Sequence, residues 1–379
     1  MKIVDRRPFY LKRASRNVLS MIFYPLRVFL SVLYYSFYLL QEIFVRRAAR
    51  RRVFRKGEGR RKSKECTVIS VGNIEVGGTG KTPISVLLSE ELMKNGHRVV
   101  VVTRGYRRKG RLDRTVVIPA KGDELKDRCS SAEFSVLEAK SDLSEVIETA
   151  GDEAAIYVCR SIPIIVGKDK ARSIDLAKRL FAASRIIMDD GFQHLRAHRD
   201  IDILLLDHRR PFGNGLLLPA GTLREPPFAA ERADVIVFTR SSSNTVPEGA
   251  SRYVKGKPCF FSKHVPLGLM DRNGDVFPLD HLKNKAVTIF SGLARNESFE
   301  EMMAQIGAVI GSSFRFSDHY NYSAQDVEKI LKTSGRTIVV TTEKDIGKVT
   351  DIFPGDIELY ALRIGIEVER LNELIELLS

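Results

Sequence analysis

The residues best equipped for chemistry lie between 72 and 82, in the run GNIEVGGTGKT. Gly77, Gly78 and Gly80, with Thr79 between them, allow successive backbone N–H groups to turn inward as an anion nest. From that position Lys81 reaches the β- and γ-phosphates of a nucleotide, and the Thr82 hydroxyl ligates Mg²⁺. The strict G-x-x-x-x-G-K-[ST] spacing asks for glycine at position 75, where this chain has Glu75 followed by Val76. Gly77 and Gly78 supply the flexibility instead. The stretch predicts binding of a nucleotide, ATP, with Mg²⁺.

A second set of charges begins at Asp189 and Asp190, which follow the apolar run Ile186–Met188. Carboxylates at the C-terminal end of a buried strand stand where an open α/β sheet meets its ligands, and there they hold Mg²⁺ or its waters. Asp207, at the end of IDILLLD, is a rival for the same role. His194 and His198 stand four apart, a metal-ligand spacing on a helix. The neighbouring Arg196 and Arg199, and the lack of a supporting Cys or Glu, favour a structural or solvent role. The loop LLPAGTLREPP (217–227) carries Arg224 and Glu225. An arginine beside a triphosphate neutralises charge that develops during transfer, although a lone loop arginine is more often a surface residue.

These residues require a particular frame. CTVISVG before the glycine loop reads as a buried strand, and ISVLLSEELMKNG after it as a helix ending at Gly96. HRVVVVTRGY and SIPIIVG add strands, and 170–183 adds a helix. Short apolar strands alternating with helices predict an α/β fold, a P-loop NTPase-like parallel sheet with helices on both faces. After ADVIVFTR the stretch SSSNTVPEGAS reads as a linker, followed by a ribbon turning at Asn273-Gly274. AVTIFSG, a helix from Glu297, RTIVVTTEKD and DIELYALRIGI then form a second, smaller α/β unit. The expected boundaries are 1–64, 65–240, 241–285 and 286–379. TTEKD (341–345) suggests nothing beyond an exposed helix cap.

The 379 residues carry a net charge of +14, unevenly distributed. Residues 1–64 hold 18 of the 61 Lys/Arg and three acids, so the remaining 315 residues are close to neutral. This excludes a uniformly basic nucleic-acid binder. The four cysteines are scattered, without zinc or disulfide spacing, which points to a reducing compartment. Val28–Gln41 is a charge-free run of 14 residues, too short as a helix to cross a ~30 Å hydrocarbon core. Its late start, with no cleavage site after it, argues against a signal peptide. At 100° per residue Arg27, Ser31, Tyr35, Tyr38 and Glu42 form a polar stripe opposite Val28, Val32, Leu33, Leu39, Leu40 and Ile43. Basic clusters flank the run, Arg6 to Arg16 before and Arg46 to Lys56 after. The pattern fits a helix lying in an anionic membrane surface with both ends on the cytoplasmic side. A core helix with a basic linker, or an Arg-rich RNA-binding segment, explains less of it.

GNIEVGGTGKTP, GDE (151–153), DDGFQH (189–194), LPAGTLREP, FSDHY (316–320) and TTEKD occur in this order. Together they resemble the tetraacyldisaccharide 4'-kinases, the lipid A 4'-kinases of Gram-negative bacteria, whose loop is also atypical at the Glu75 position. The resemblance spans Gly72 to Asp345, and the segment between Tyr106 and Gly151 looks extended beside it. It implies transfer of the γ-phosphate of ATP to the 4'-hydroxyl of tetraacyldisaccharide 1-phosphate, forming lipid IVA at the cytoplasmic face of the bacterial inner membrane. It further implies that Asp152 and His319 act as a general-base pair. Asp189, Asp190 and Glu225 would serve Mg²⁺ or the transferring phosphate, and Arg224 the nucleotide. The implied partners are the acylated disaccharide lipid and the membrane surface, with no nucleic acid and no obligate protein partner. A membrane-tethered switch or partitioning ATPase is the competing reading, but such loops carry a signature lysine where this chain has Val76. A small-molecule ligase or kinase with a similar loop would not need the amphipathic segment.

Overall fold

The computed structural model describes residues 24–77, 79–105, 114–120, 134–138, 143–293, 296–317, 320–334 and 338–379, excepting 56–65, with 41–55 and 143–144 as backbone only. Among them, eight strands precede residue 240: β1 (Thr67–Asn73), β2 (Val99–Thr103), β3 (Thr115–Ile118), β4 (Phe134–Val136), β5 (Ile164–Val166), β6 (Arg185–Asp189), β7 (Ile201–Asp207) and β8 (Val235–Thr239). Six follow: β9 (Cys259–Asp271), β10 (Val276–Phe277), β11 (Ala286–Ser291), β12 (Val309–Arg315), β13 (Ile338–Thr342) and β14 (Leu359–Val368). They form one mostly parallel sheet in the order β12-β11-β13-β14-β9-β8-β7-β1-β6-β2-β5-β3-β4, with β10 on β9.

β1 lies between β6 and β7, and six of its seven residues are buried. Ile69 and Val71 point into a core with Ile84, Leu88 and Leu92 of the helix Lys81–Lys94. Val68 points the other way, onto Ile174, Leu176 and Leu180 of the helix Lys170–Phe181. Burial on both faces is why the run reads as continuously apolar rather than alternating. Leu88 is fully buried, and cutting it to alanine costs roughly 2–5 kcal/mol.

β9 joins the two blocks of parallel strands. Its first three residues pair parallel with β8, while Ser262–Asp271 pair antiparallel with β14. The chain then turns back through Asn273-Gly274 into β10. Beyond it, β11, β12, β13 and β14 are mutually parallel, with their own core around Phe299, Met303 and Val340. The helix Leu371–Leu378, last in the sequence, returns to the first block. Leu374, Ile375 and Leu378 join the core of Ile69, and Arg185 donates to the Leu378 carbonyl at 2.9 Å.

The basic residues 6–16 lie outside the described residues, and a helix runs over Tyr24–Arg55. No helix among the described residues is long and apolar enough to cross a membrane. Ser31 and Tyr38 are buried against the protein, whereas Phe29, Val32, Leu33, Phe37 and Leu40 face outward. Of the polar stripe Arg27 and Tyr35 are exposed, and of the apolar arc Val28 is half-buried.

Candidate active site

β1 ends at Asn73, and the chain turns through Ile74–Gly80 into the helix that begins at Lys81. Gly80 occupies the helix N-cap in the left-handed region, φ 84°, a conformation that disfavours any residue with a Cβ. Asn73 stitches the loop internally, its amide donating to the Glu75 carbonyl at 2.6 Å and to the Thr79 hydroxyl at 2.8 Å. Lys81 Nζ stands 3.4 Å from Asn73 Oδ1 and 3.7 Å from Asp190. Gly78 lies outside the described residues.

The atypical glutamate has a structural explanation. Glu75 forms a bridge with Leu223, and its carboxylate accepts from the Thr222 hydroxyl at 2.7 Å. The Val76 amide donates to the Thr222 carbonyl at 2.8 Å. The loop 217–227 is therefore an outer wall of the phosphate loop, and Glu75 fastens the two together.

Parallel pairing aligns Val71 with Asp189, which sets the Asp189 carboxylate beside the loop helix. Asp189 is buried and receives Tyr157 OH at 2.8 Å, with the hydroxyls of Thr82 and Ser85 each at 3.4 Å. Burial raises its pKa, while the Tyr157 hydrogen bond and the charge of Lys170 oppose that rise. Asp190, at φ 50°, pairs with Arg224 at 3.1 Å. Burial pushes its pKa up too, but Lys81, Arg224 and Lys170 together hold it below the usual carboxylate value. Asp207 is instead clasped by Arg240 at 2.7 Å. Of the two rival strand ends, only Asp189 meets the phosphate-loop helix.

Sequence reasoning missed several supports. Lys170, 3% exposed, bonds the backbone carbonyls of both Asp189 and Asp190, and burial lowers its pKa to about 8. Gln193 links the Asn73 carbonyl at 2.6 Å to Glu225 at 2.9 Å. Glu153 is raised to about 7 by burial and by Asp189, against the pull of Lys81 and Lys344. Gln193 lies within DDGFQH and Glu153 within GDE, so the motif blocks were the available signal.

Glu225, expected to serve a metal, is held by a set of protein partners. Its oxygens take a bidentate pair from Arg232, at 2.5 and 2.8 Å, together with Tyr38 OH at 3.0 Å and Gln193. In this arrangement it anchors the 217–227 loop. Asp152 begins a short helix and pairs with Lys348 at 2.9 Å. His319, expected beside it, lies outside the described residues, as does Asp318. His194 and His198 are not brought together on a helix. His198 is exposed beside Asp200, and burial keeps His194 neutral down to about pH 4. Thr341–Asp345 is not an exposed cap either. Asp345 is fully buried, accepting from Thr342 Oγ1 and the Gly292 amide at 2.9 Å each. Glu343 pairs with Arg160 at 3.2 Å and Arg363 at 3.3 Å, joining the two blocks.

The arrangement offers a helix N-terminus, two cations and two carboxylates around one strand end, a set suited to phosphoryl transfer. A family model for the tetraacyldisaccharide-1-P 4'-kinases matches residues 30–379. The chain is 32% identical over 347 residues to the tetraacyldisaccharide 4'-kinase of Desulfatibacillum aliphaticivorans, covering 87% of each protein. It is 35% identical over 312 residues to that of Geobacter metallireducens, covering 80% of this chain and 85% of that one. Among solved structures it is similar to the "apo" form of LpxK from Aquifex aeolicus in complex with ATP. The TM-score is 0.66 at 28% identity, covering 95% of this chain and 98% of the other. With its phosphate loop, paired aspartates and Arg224 loop in one sheet edge, the chain belongs to the tetraacyldisaccharide 4'-kinase family.

Proposed function

We propose that this kinase transfers the γ-phosphoryl group of ATP to the 4'-hydroxyl of a tetraacylated disaccharide 1-phosphate, the lipid IVA-forming step of lipid A biosynthesis. The observation that carries the reading is the convergence of Lys81, Thr82, Asp189, Asp190 and Arg224 on one strand end in a chain of this family. ATP binding is further supported by the ATP-bound structure it resembles. The family assignment sets aside the switch-ATPase reading.

Glycine-loop amides and Lys81 take the charge of the phosphates, and Arg224 meets charge developing on the transferred group. The Thr82 hydroxyl and the Asp189 carboxylate face each other as hard oxygen donors, the kind Mg²⁺ prefers, so they and Asp190 would hold it. A bound Mg²⁺ would neutralise charge on the β- and γ-phosphate oxygens. Lys170 fixes the backbone of both aspartates from below. A sugar hydroxyl is a poor nucleophile, and Asp152 with His319 is our assignment for the base that takes its proton. Lys348 lies 2.9 Å from one oxygen of the Asp152 carboxylate and favours its charged form.

We place the enzyme at the cytoplasmic face of the inner membrane. The outward apolar arc of Phe29, Val32, Leu33, Phe37 and Leu40, flanked in sequence by arginine clusters, suits an anionic lipid surface. There the acylated acceptor is available while ATP arrives from the aqueous side. No nucleic acid and no obligate protein partner is invoked. The test is phosphate transfer from γ-labelled ATP to tetraacyldisaccharide 1-phosphate in Mg²⁺ and detergent. Labelled lipid is expected, and ATP hydrolysis without it would overturn the reading.

A further inference from the structure

The N-terminal helix touches the catalytic apparatus through three side chains one and two turns apart. Ser31 Oγ donates to the Leu217 carbonyl at 2.9 Å and accepts from the Ala220 amide at 3.0 Å. Tyr34 OH donates to the Arg224 carbonyl at 2.9 Å. Tyr38 OH donates to Glu225 at 3.0 Å, inside the pair that Glu225 makes with Arg232. All three side chains bond the loop 217–227. That loop in turn bonds the phosphate loop, through Thr222 to Glu75 and Val76 and through the Arg224 amide to the Ile74 carbonyl at 2.7 Å. Arg224 is thus held by its N–H from the phosphate loop, by its C=O from the helix, and by its side chain on Asp190.

A helix needed only as an anchor has no reason to spend its polar residues on a loop that bears a catalytic arginine. We propose that Tyr34 and Tyr38 are positioning residues. Seating of the N-terminal helix sets the place of Arg224 and of the outer wall of the phosphate loop, so transfer proceeds at full rate only with the helix docked. The inference rests on the lipid-kinase reading for its activity test, but its structural half stands apart from that reading. Removing one hydroxyl releases the Arg224 peptide, and removing the other weakens the Glu225 anchor. The ring of Tyr38 keeps its packing on Phe228, 6.1 Å between centroids, so Tyr→Phe changes leave the apolar contact in place.

The experiment compares wild type, Tyr34→Phe/Tyr38→Phe, Arg224→Ala and the triple variant, all as full chains. Transfer of labelled phosphate is followed with flotation on vesicles of phosphatidylglycerol and phosphatidylethanolamine. The double tyrosine variant is expected to lose about 5- to 20-fold in kcat, with KM for the lipid and flotation unchanged. In the Arg224→Ala background the same two changes should cost clearly less than in the wild type, because much of their effect runs through Arg224. Hydrogen exchange of the 217–227 segment should rise in the tyrosine variant and in Ser31→Ala, which frees the Ala220 amide. A raised KM with intact kcat, a full further loss in the triple variant, or unchanged exchange would each overturn the proposal. Absence of labelled lipid from the wild type would instead sink the lipid-kinase reading, and the exchange measurement would still decide the coupling.

Discussion

Two strand ends in this sheet are built alike and treat charge in opposite ways. At β1 a parallel strand leads through the loop Ile74–Gly80 into a helix, and at β13 it leads into one directly, so each strand end faces a helix start whose N–H groups favour negative charge. The end of β13 carries its own carboxylates and pairs them within the protein. Asp345 accepts from Thr342 Oγ1 and the Gly292 amide, and Glu343 is enclosed by Arg160 and Arg363. The β1 loop carries one acid, Glu75, and it is drawn away to Thr222, leaving the helix start beside Lys81 to an external anion. A strand–turn–helix becomes a phosphate site by withholding its own carboxylates, and a joint by supplying them.

The largest effect should come from the open turn. Lys81→Ala is expected to lower transfer by at least ~100-fold with the fold intact, since catalysis here is charge stabilisation and positioning. Labelled-phosphate transfer with circular dichroism checks it, and retention of activity would erase the contrast. Next, Asp189→Asn should cost about 100-fold in turnover, while Asp207→Asn stays within about 3-fold, because Arg240 rather than the phosphate loop faces Asp207. Equal losses would mean that the two strand ends share the nucleotide.

The closed turn predicts a different readout. Glu343→Gln should lower unfolding free energy by roughly 1–3 kcal/mol in urea, because Arg160, 10% exposed, then keeps only Glu90, and Arg363 loses its carboxylate. A large loss of turnover in the still-folded variant would give this joint a catalytic role. The smallest effect concerns acid. His264, beside Gly80, is kept neutral by burial and by Arg240, with a pKa of about 4. Between about pH 6.5 and 4 the unfolded chain binds a proton that the native state refuses, so stability falls as pH falls. His264→Asn should flatten that slope by about 1–2 kcal/mol in acid-urea titrations.

The nucleotide block was legible in the sequence because its strands are buried on both faces. Unbroken β-branched runs such as VVVVT and IIV need no partner to be recognised. The glycine loop and the Asp189-Asp190 pair carry their geometry in consecutive residues. What stayed hidden depends on distant pairings. Nothing local in Glu225 announces Arg232 and Tyr38, and nothing in Glu343 announces an arginine 183 positions earlier. The N-terminal stripe and an apolar arc suited to a lipid surface were readable, but not that Ser31, Tyr34 and Tyr38 bond the loop 217–227. Periodicity gives the angle between two faces and is silent on which one meets the body.

The helix Leu371–Leu378 carries a last consequence. It fills the core behind β1 although more than 130 residues separate it from the end of β8. A ribosome that has delivered every strand of the nucleotide block has therefore not delivered the side chains that close it. The core of that block lacks Leu374, Ile375 and Leu378 while the second block is synthesised and joined through β9. Order of manufacture thus places the vulnerable interval late in translation, and a chain that stalls between 240 and 370 is the form a chaperone or protease meets.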